Sequence, residues 1–179
     1  MPMPKSRLLS AVCIAALLCP GAVFACAADD PVSAVDLYFS ALAQGDMTLV
    51  ADLTADELVA KTATYILGVA NSASDPDEMA RMVGAEDLDM LEGWSARRIF
   101  AAYMGLQASF ADEMGVGDVS GAKVRILDQE FAAPGRADLT VSISPKPGDE
   151  GEVSEISAVQ DSSGCWRISS LRDLRLGKE

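Results

Sequence analysis

The chain has 179 residues, half of them hydrophobic, and its 27 acidic against 14 basic side chains give a formal net charge of −13. This length fits one domain with a sizeable core, and this charge argues against nucleic acid or anionic lipid surfaces as partners. The sequence contains no histidine, which excludes Ser-His-Asp and Cys-His catalytic sites and histidine-based zinc sites. No cofactor and no metal are predicted.

The first 27 residues have the pattern of a secretory signal peptide. Lys5 and Arg7 precede an apolar run over 8–18, and small residues follow it, which is the order of a basic region, a hydrophobic region and a cleavage zone. The run is shorter than an ordinary transmembrane helix. The sequence therefore predicts an exported protein of the bacterial periplasm or envelope, with no transmembrane span, in which residues 28–179 form a single domain.

Two cleavage sites compete at the end of this leader. The stretch Ala25-Cys26-Ala27 fits the small-x-small rule and favours a cut after Ala27. The stretch Val23-Phe24-Ala25-Cys26 resembles a bacterial lipobox, although phenylalanine is unusual at its position. A cut after Ala25 would then make Cys26 the lipid-attached first residue, and two acyl chains would anchor the domain.

The role of Cys165 depends on this choice, because Cys13 and Cys19 leave with the leader. Cys165 then stands alone, unless an unlipidated Cys26 is retained and pairs with it. The favoured interpretation is a buried small hydrophobe in a strand rather than a reactive thiol.

Helices are predicted over 31–115. Asp29 or Asp30 caps the first helix, Pro31 lies in its first turn and Gly45 ends it. A short turn of helix follows the Gly45 corner. Apolar side chains recur at three-to-four spacing in the long segments, so each should lay one face on a core.

Three further helix starts are marked by capping residues. Thr54 with Glu57 three positions on predicts a capping box that opens a second long helix. Asp75 followed by a proline predicts a short helix, and Ser95 is expected to cap the last one.

Four strands are predicted over 119–174, separated by turn sequences. Leu139, Val141 and Ile143 alternate with polar residues, which is typical of a half-buried strand. The last strand is centred on Trp166, with Trp166 and Ile168 facing the core. Neighbouring strands joined by short turns predict an antiparallel meander. Helices followed by such a meander define an α+β fold.

The first strand is predicted over 122–131. Val124 and Ile126 are placed on one face together with Asp128, and Leu127 and Phe131 on the other.

Two short stretches carry a family resemblance. Residues 35–46, VDLYFSALAQGD, resemble the opening helix of the nuclear-transport-factor-2-like superfamily, and residues 164–168, GCWRI, are similar to its final strand. The resemblance implies a cone-shaped fold, in which a curved sheet wraps around helices and leaves a pocket at its open end. Members include isomerases, dehydratases, cyclases and carriers, so the fold does not settle the function. The helical segment over 71–93 departs from the compact members.

A second and weaker resemblance points to the periplasmic phospholipid carriers of the toluene-tolerance family. It rests on residues 91–95, LEGWS, followed by RRIF at 97–100. It implies a lipid carrier with helices before a sheet.

The candidate pocket residues are Tyr38, Trp94, Tyr103, Asp128 and Trp166. An isomerase of this fold needs a carboxylate base and a tyrosine or protonated acid as oxyanion donor. Asp128, which shares a face of the first strand with Val124 and Ile126, is the candidate for that base. The alternative interpretation is that Asp128 ends the buried part of its strand and has no catalytic role. No other catalytic residue is predicted.

These observations predict an exported, non-enzymatic binding or interaction module of the bacterial envelope, which holds a small apolar ligand or contacts an envelope protein. A periplasmic lipid carrier is one alternative, and it needs a continuous apolar cavity. A cofactor-free isomerase or dehydratase is the other, and it needs Asp128 inside that cavity.

Overall fold

The computed structural model describes residues 26–113, 123–144 and 151–172. The predicted leader up to residue 25 and the ends of the predicted sheet at 119–122 and 173–174 lie outside the described residues. Six helices precede four strands in the described part, so the predicted α+β order is confirmed. The elements are α1 (Pro31–Gln44), α2 (Met47–Asp52), α3 (Asp56–Ser72), α4 (Pro76–Met82), α5 (Leu88–Glu92), α6 (Ala96–Glu113), β1 (Lys123–Ala133), β2 (Arg136–Ser144), β3 (Glu152–Gln160) and β4 (Trp166–Arg172).

Aspartate and serine side chains start most of these helices, as the sequence predicts. The Asp30 carboxylate accepts the backbone N–H of Ser33 at 3.0 Å and caps α1. Asp75 caps α4 by accepting the N–H of Glu78 at 2.9 Å, and the N–H of Arg98 lies 3.3 Å from the Ser95 hydroxyl. Such side chains satisfy backbone donors that have no partner within the helix.

The predicted capping box at Thr54 is wrong. The N-cap of α3 is Ala55, which offers no side-chain acceptor. Thr54 is buried, its hydroxyl donates to the Val50 carbonyl at 2.7 Å, and its backbone pairs with Ile168 of β4 in an isolated parallel bridge. The hydroxyl is therefore used inside the domain, because tertiary pairing with the sheet outweighs the local capping pattern.

The strands form one open antiparallel sheet in the order β1-β2-β3-β4. Leu139, Val141 and Ile143 point into the core and the residues between them are half-buried, which confirms the predicted alternation. Gly135 and Gly164 adopt positive φ in the two tight turns at the same end of the sheet, a conformation that favours glycine.

The sheet curls over the helices. The rings of Phe131 on β1 and Trp166 on β4 meet edge to face, with centroids 6.1 Å apart. Three strand spacings of about 4.8 Å separate these outer strands in a flat sheet. Helix α1 contacts both of them as well as β3, as expected of a sheet that curves around that helix.

Two apolar clusters fill the interior. We call the first the helix–sheet core, because α1, α2 and the inner face of the sheet build it. Its largest fully buried members include Tyr38, Leu53, Leu139, Ile156 and Ile168. We call the second the alanine cluster, which lies among α3 to α6. It consists of Ala63, Ala70, Ala80, Ala85, Leu91 and Ile99.

Candidate functional site

The outer edge of β4 is where both halves of the chain meet. Ile168 donates its N–H to Leu53 at 2.7 Å and accepts the N–H of Ala55 at 2.8 Å, while Trp166 donates to the Ala28 carbonyl at 3.0 Å. The backbone polar groups of this edge are therefore paired with the α2–α3 connection and with the N-terminal segment. We call this region, formed by residues 26–28, 53–55 and 165–168, the β4 junction.

A disulfide closes the β4 junction. Cys26 and Cys165 are bonded, with their Cα atoms 5.2 Å apart at a sequence separation of 139. The sequence left this pairing open as an alternative. Cys165 is buried, as expected, but it is neither a free hydrophobe nor a free thiol.

Asp161 and Arg167 form an ion pair beside the disulfide. The Arg167 Nε lies 2.6 Å from the Asp161 carboxylate, which also accepts the backbone N–H groups of Ser163 at 2.8 Å and Cys165 at 3.0 Å. Burial alone would raise the pKa of Asp161, but the hydrogen bonds from Arg167, Cys165 and Ser163 hold that pKa below its ordinary value of 3.8. Arg167 also donates to the Asp52 carbonyl, so its guanidinium is fixed from two sides.

A second arginine ties α6 to the start of α3. Arg97 donates to the Ala51 carbonyl and pairs with the Asp56 carboxylate, and the Asp52 carboxylate lies 3.7 Å away. Asp56, in the first turn of α3, thus already has a cationic partner.

A cleft of about 530 Å³ lies between the first turn of α3 and the exposed side of the sheet. We call it the α3–β4 cleft. It is lined by Ala55, Asp56, Glu57, Leu58, Lys61, Arg136, Val159, Asp161, Ser162, Arg167, Ser169 and Ser170.

The polar lining of this cleft favours the binding of a negatively charged group, although the protein as a whole is acidic. Two of its carboxylates, Asp56 and Asp161, are already paired. Lys61 and Arg136 are exposed and form no ion pair with a described residue, which leaves Glu57 as the remaining acid. The first turn of α3 lacks a side-chain cap, and the N-terminus of a helix carries partial positive charge.

The predicted pocket residues do not converge on this cleft. Tyr38 is 2% exposed in the helix–sheet core, where burial raises its pKa to about 12. Trp166 lies in the same core and also borders a separate cleft of about 290 Å³ at the β4 junction. Trp94 packs against the alanine cluster with the Arg98 guanidinium 3.9 Å from its ring centroid, and Tyr103 is half-buried on α6.

The predicted facing of β1 beyond Ile126 is wrong. The ladder with β2 shifts between Ile126 and Asp128, so Asp128 pairs with Thr140 and is exposed on the outer face of the sheet. Phe131 turns toward Trp166 on the inner side, opposite to its predicted face. Such an irregularity exchanges the faces of the residues that follow it, here as far as a second shift between Glu130 and Ala133.

The outer face around Asp128 holds a shallow depression of about 210 Å³ that it shares with Glu130, Asp138 and Glu155. None of the predicted tyrosines lines it. The geometry therefore does not assemble the carboxylate and tyrosine pair that an isomerase of this type needs.

Lys61 and Arg136 are not among the residues that the sequence predicts for a site. Each is an isolated cation in its segment, and no local pattern distinguishes it from a solvated side chain. The one available signal is the turn at 134–135, which fixes Arg136 as the first residue of β2.

No group of three or more potential metal-ligating side chains occurs among residues 26–113, 123–144 and 151–172. Within the same ranges, none of the helices has both the length and the apolar character needed to cross a bilayer.

Comparison with known proteins finds no match to a protein-family model, to a curated protein or to a solved structure.

Proposed function

We propose that the protein is an exported, non-enzymatic binding module that holds a small anionic molecule in the α3–β4 cleft. The observation that carries this proposal is which charged side chains of the cleft have an ion-pair partner and which do not. Two of its three carboxylates are neutralised, whereas Lys61 and Arg136 have no ion-pair partner among the described residues. Its volume of about 530 Å³ falls within the range of pockets for small ligands.

The lining also indicates the shape of the ligand. Leu58 and Val159 are half-buried and give the cleft an apolar wall, while the cations line its polar part. A small carboxylate with an apolar body fits both features, because its apolar part leaves water and its charge meets the two cations that lack an ion-pair partner among the described residues.

Binding fits this site better than proton transfer. The chain has no histidine, and Asp56 and Asp161 serve as ion-pair partners. Asp128, the candidate base, lines a different part of the surface. A cofactor-free isomerase or dehydratase is accordingly the weaker candidate.

Export is part of the proposal. It is supported by the predicted signal peptide and by the Cys26–Cys165 disulfide, since disulfides persist in oxidising compartments such as the periplasm.

We also propose that the fold belongs to the nuclear-transport-factor-2-like superfamily. The order of helices and strands, the curl of the sheet and the final strand after Gly164 support this assignment. An experimental structure whose sheet lies flat against α1 would contradict it.

The binding proposal is tested by calorimetric titration of the mature protein with benzoate, succinate and inorganic phosphate. We expect one of these anions to bind and the double variant Lys61→Ala/Arg136→Ala to bind it at least tenfold more weakly, because a hydrogen bond to a charged group contributes about 1.5–3 kcal/mol. The matched control is Lys123→Ala/Arg125→Ala, which removes the same two charges from β1, outside the cleft.

Equal affinity in the cleft variant and the control would contradict the proposed site. Binding of a long-chain fatty acid with no effect of the cleft variant would instead favour the lipid-carrier alternative.

A further inference from the structure

The β4 junction bears on how the protein is processed. This question rests on the proposed export and is independent of what the cleft binds. The sequence leaves three fates for Cys26: lipid attachment, removal with the leader, or retention as a free thiol that can pair. Each fate uses the same sulfur atom differently, so they are mutually exclusive.

The backbone around Cys26 is anchored independently of the sulfur bond. Ala28 is 2% exposed, and its carbonyl accepts the N–H of Trp166 at 3.0 Å. Two residues later, Asp30 caps α1. On the other side, the N–H of Cys165 is held by Asp161 at 3.0 Å. The two cysteines are thus brought together by contacts of their neighbours.

A cut after Ala27 conflicts with this arrangement. It would remove Cys26 and leave the buried Cys165 without its disulfide partner, and it would make Ala28, whose carbonyl is bonded to Trp166, the charged first residue. A cut before Cys26 moves that charge two residues outward, onto a half-buried position.

Lipid attachment conflicts with it as well. A thioether to a diacylglyceryl group consumes the Cys26 sulfur, which is the atom bonded to Cys165. The two acyl chains would also start at the β4 junction, where Cys165 and Trp166 are buried.

We infer that the leader is cut on the N-terminal side of Cys26 and that Cys26 is retained without a lipid to form the disulfide with Cys165. Cys13 and Cys19 leave with the leader, so the mature chain keeps two cysteines that pair with each other. The step converts two thiols into one disulfide with release of two protons and two electrons. A disulfide-bearing oxidant of the envelope accepts them and becomes a dithiol.

The experiment is intact-mass analysis of the full chain after export in a bacterial host, with and without reduction before alkylation. We expect a mature chain that begins at Cys26, is two hydrogen atoms lighter than its reduced form and takes up alkyl groups only after reduction, two per chain. A chain that begins at Ala28, a diacylglyceryl mass on Cys26, two free thiols or an uncut leader would each overturn the inference.

Two variants keep the test decisive. Cys165→Ser should leave one thiol, on Cys26, that reacts without reduction, and a lipid mass on it would contradict the inference. Cys26→Ser should still be cut before position 26, because the cut does not depend on the cysteine. Retention of the leader in Cys26→Ser would instead show that processing follows the lipobox.

Discussion

The helix–sheet core and the alanine cluster are built from different residues. The helix–sheet core buries large side chains such as Tyr38, Leu139 and Ile156 between α1 and the sheet. The alanine cluster buries four alanines and only two large side chains, Leu91 and Ile99. Full burial of a large aliphatic side chain contributes about 1.5–3 kcal/mol, and a methyl group contributes much less.

We therefore expect the two parts of the helical layer to be held with different strength. Helix α1 lies on the sheet, whereas α4 and α5 contact α3 and each other through fully buried alanines and Leu91 and through partly buried side chains such as Met79 and Leu88. Close helix packing through alanine needs good fit but removes little apolar area from water. We therefore expect α4 and α5 to open locally at lower free energy than the sheet.

The largest expected loss of stability follows a substitution in the helix–sheet core. Ile156→Ala should lower the free energy of unfolding by about 2–5 kcal/mol, because it leaves a cavity at a fully buried position. Urea denaturation followed by circular dichroism measures the shift. Val153→Ala is the matched control on the same strand, since that side chain is 58% exposed. An equal loss of unfolding free energy in the two variants would contradict the role assigned to the helix–sheet core.

A smaller and more local effect is expected in the alanine cluster. Leu91→Ala removes one of its two large fully buried side chains, and the other large side chains packed against the cluster are only partly buried, so the loss should stay local. Hydrogen exchange should accelerate in Pro76–Met82 and Leu88–Glu92 while the amides of β2 and β3 stay protected. Met90→Ala, at a 38% exposed neighbour, is the control. Loss of protection in the sheet equal to that in α4 and α5 would show that the clusters unfold together.

The smallest expected effect is a dependence on pH at the edge of the helix–sheet core. The pKa of Asp161 is lowered in the folded protein, where Arg167 and two backbone N–H groups bond its carboxylate. A carboxyl group with a lowered pKa stabilises the fold above its unfolded value, near pH 4, and this contribution is lost as the pH falls further. Asp161→Asn should therefore lower the thermal midpoint at pH 7 and flatten its fall between pH 5 and pH 3.

Asp128→Asn, at an exposed carboxylate on the outer face of the sheet, controls for the general effect of removing one acid. If both variants changed the acid slope alike, the ion pair at Asp161 would have no specific role.

Local patterns in the sequence predicted much of the fold. The alternation of Leu139, Val141 and Ile143 identified β2, and the aspartates before α1 and α4 identified their starts. These features depend on neighbouring residues, so a single sequence contains the information that they need.

The features that the sequence did not predict depend on distant partners. Thr54 was assigned to a local cap, but its position is decided by pairing with Ile168. The shift after Ile126 depends on how β1 meets β2. The candidate cleft was missed for the same reason, since Lys61 and Arg136 come from opposite halves of the chain.

The order of the strands has a consequence for how the protein folds. Each strand pairs with the next one along the chain. The sheet can therefore form by successive hairpins that each close a short loop, and such local closure is fast. The contacts of β4 with Ala28 and Leu53 instead join the two ends of the domain. We expect these contacts to form late, after β4 has paired with β3 and its outer edge is in place. Cys26 and Cys165 would then meet only in a nearly complete fold. The disulfide would therefore stabilise the folded domain after folding and would not direct the folding itself.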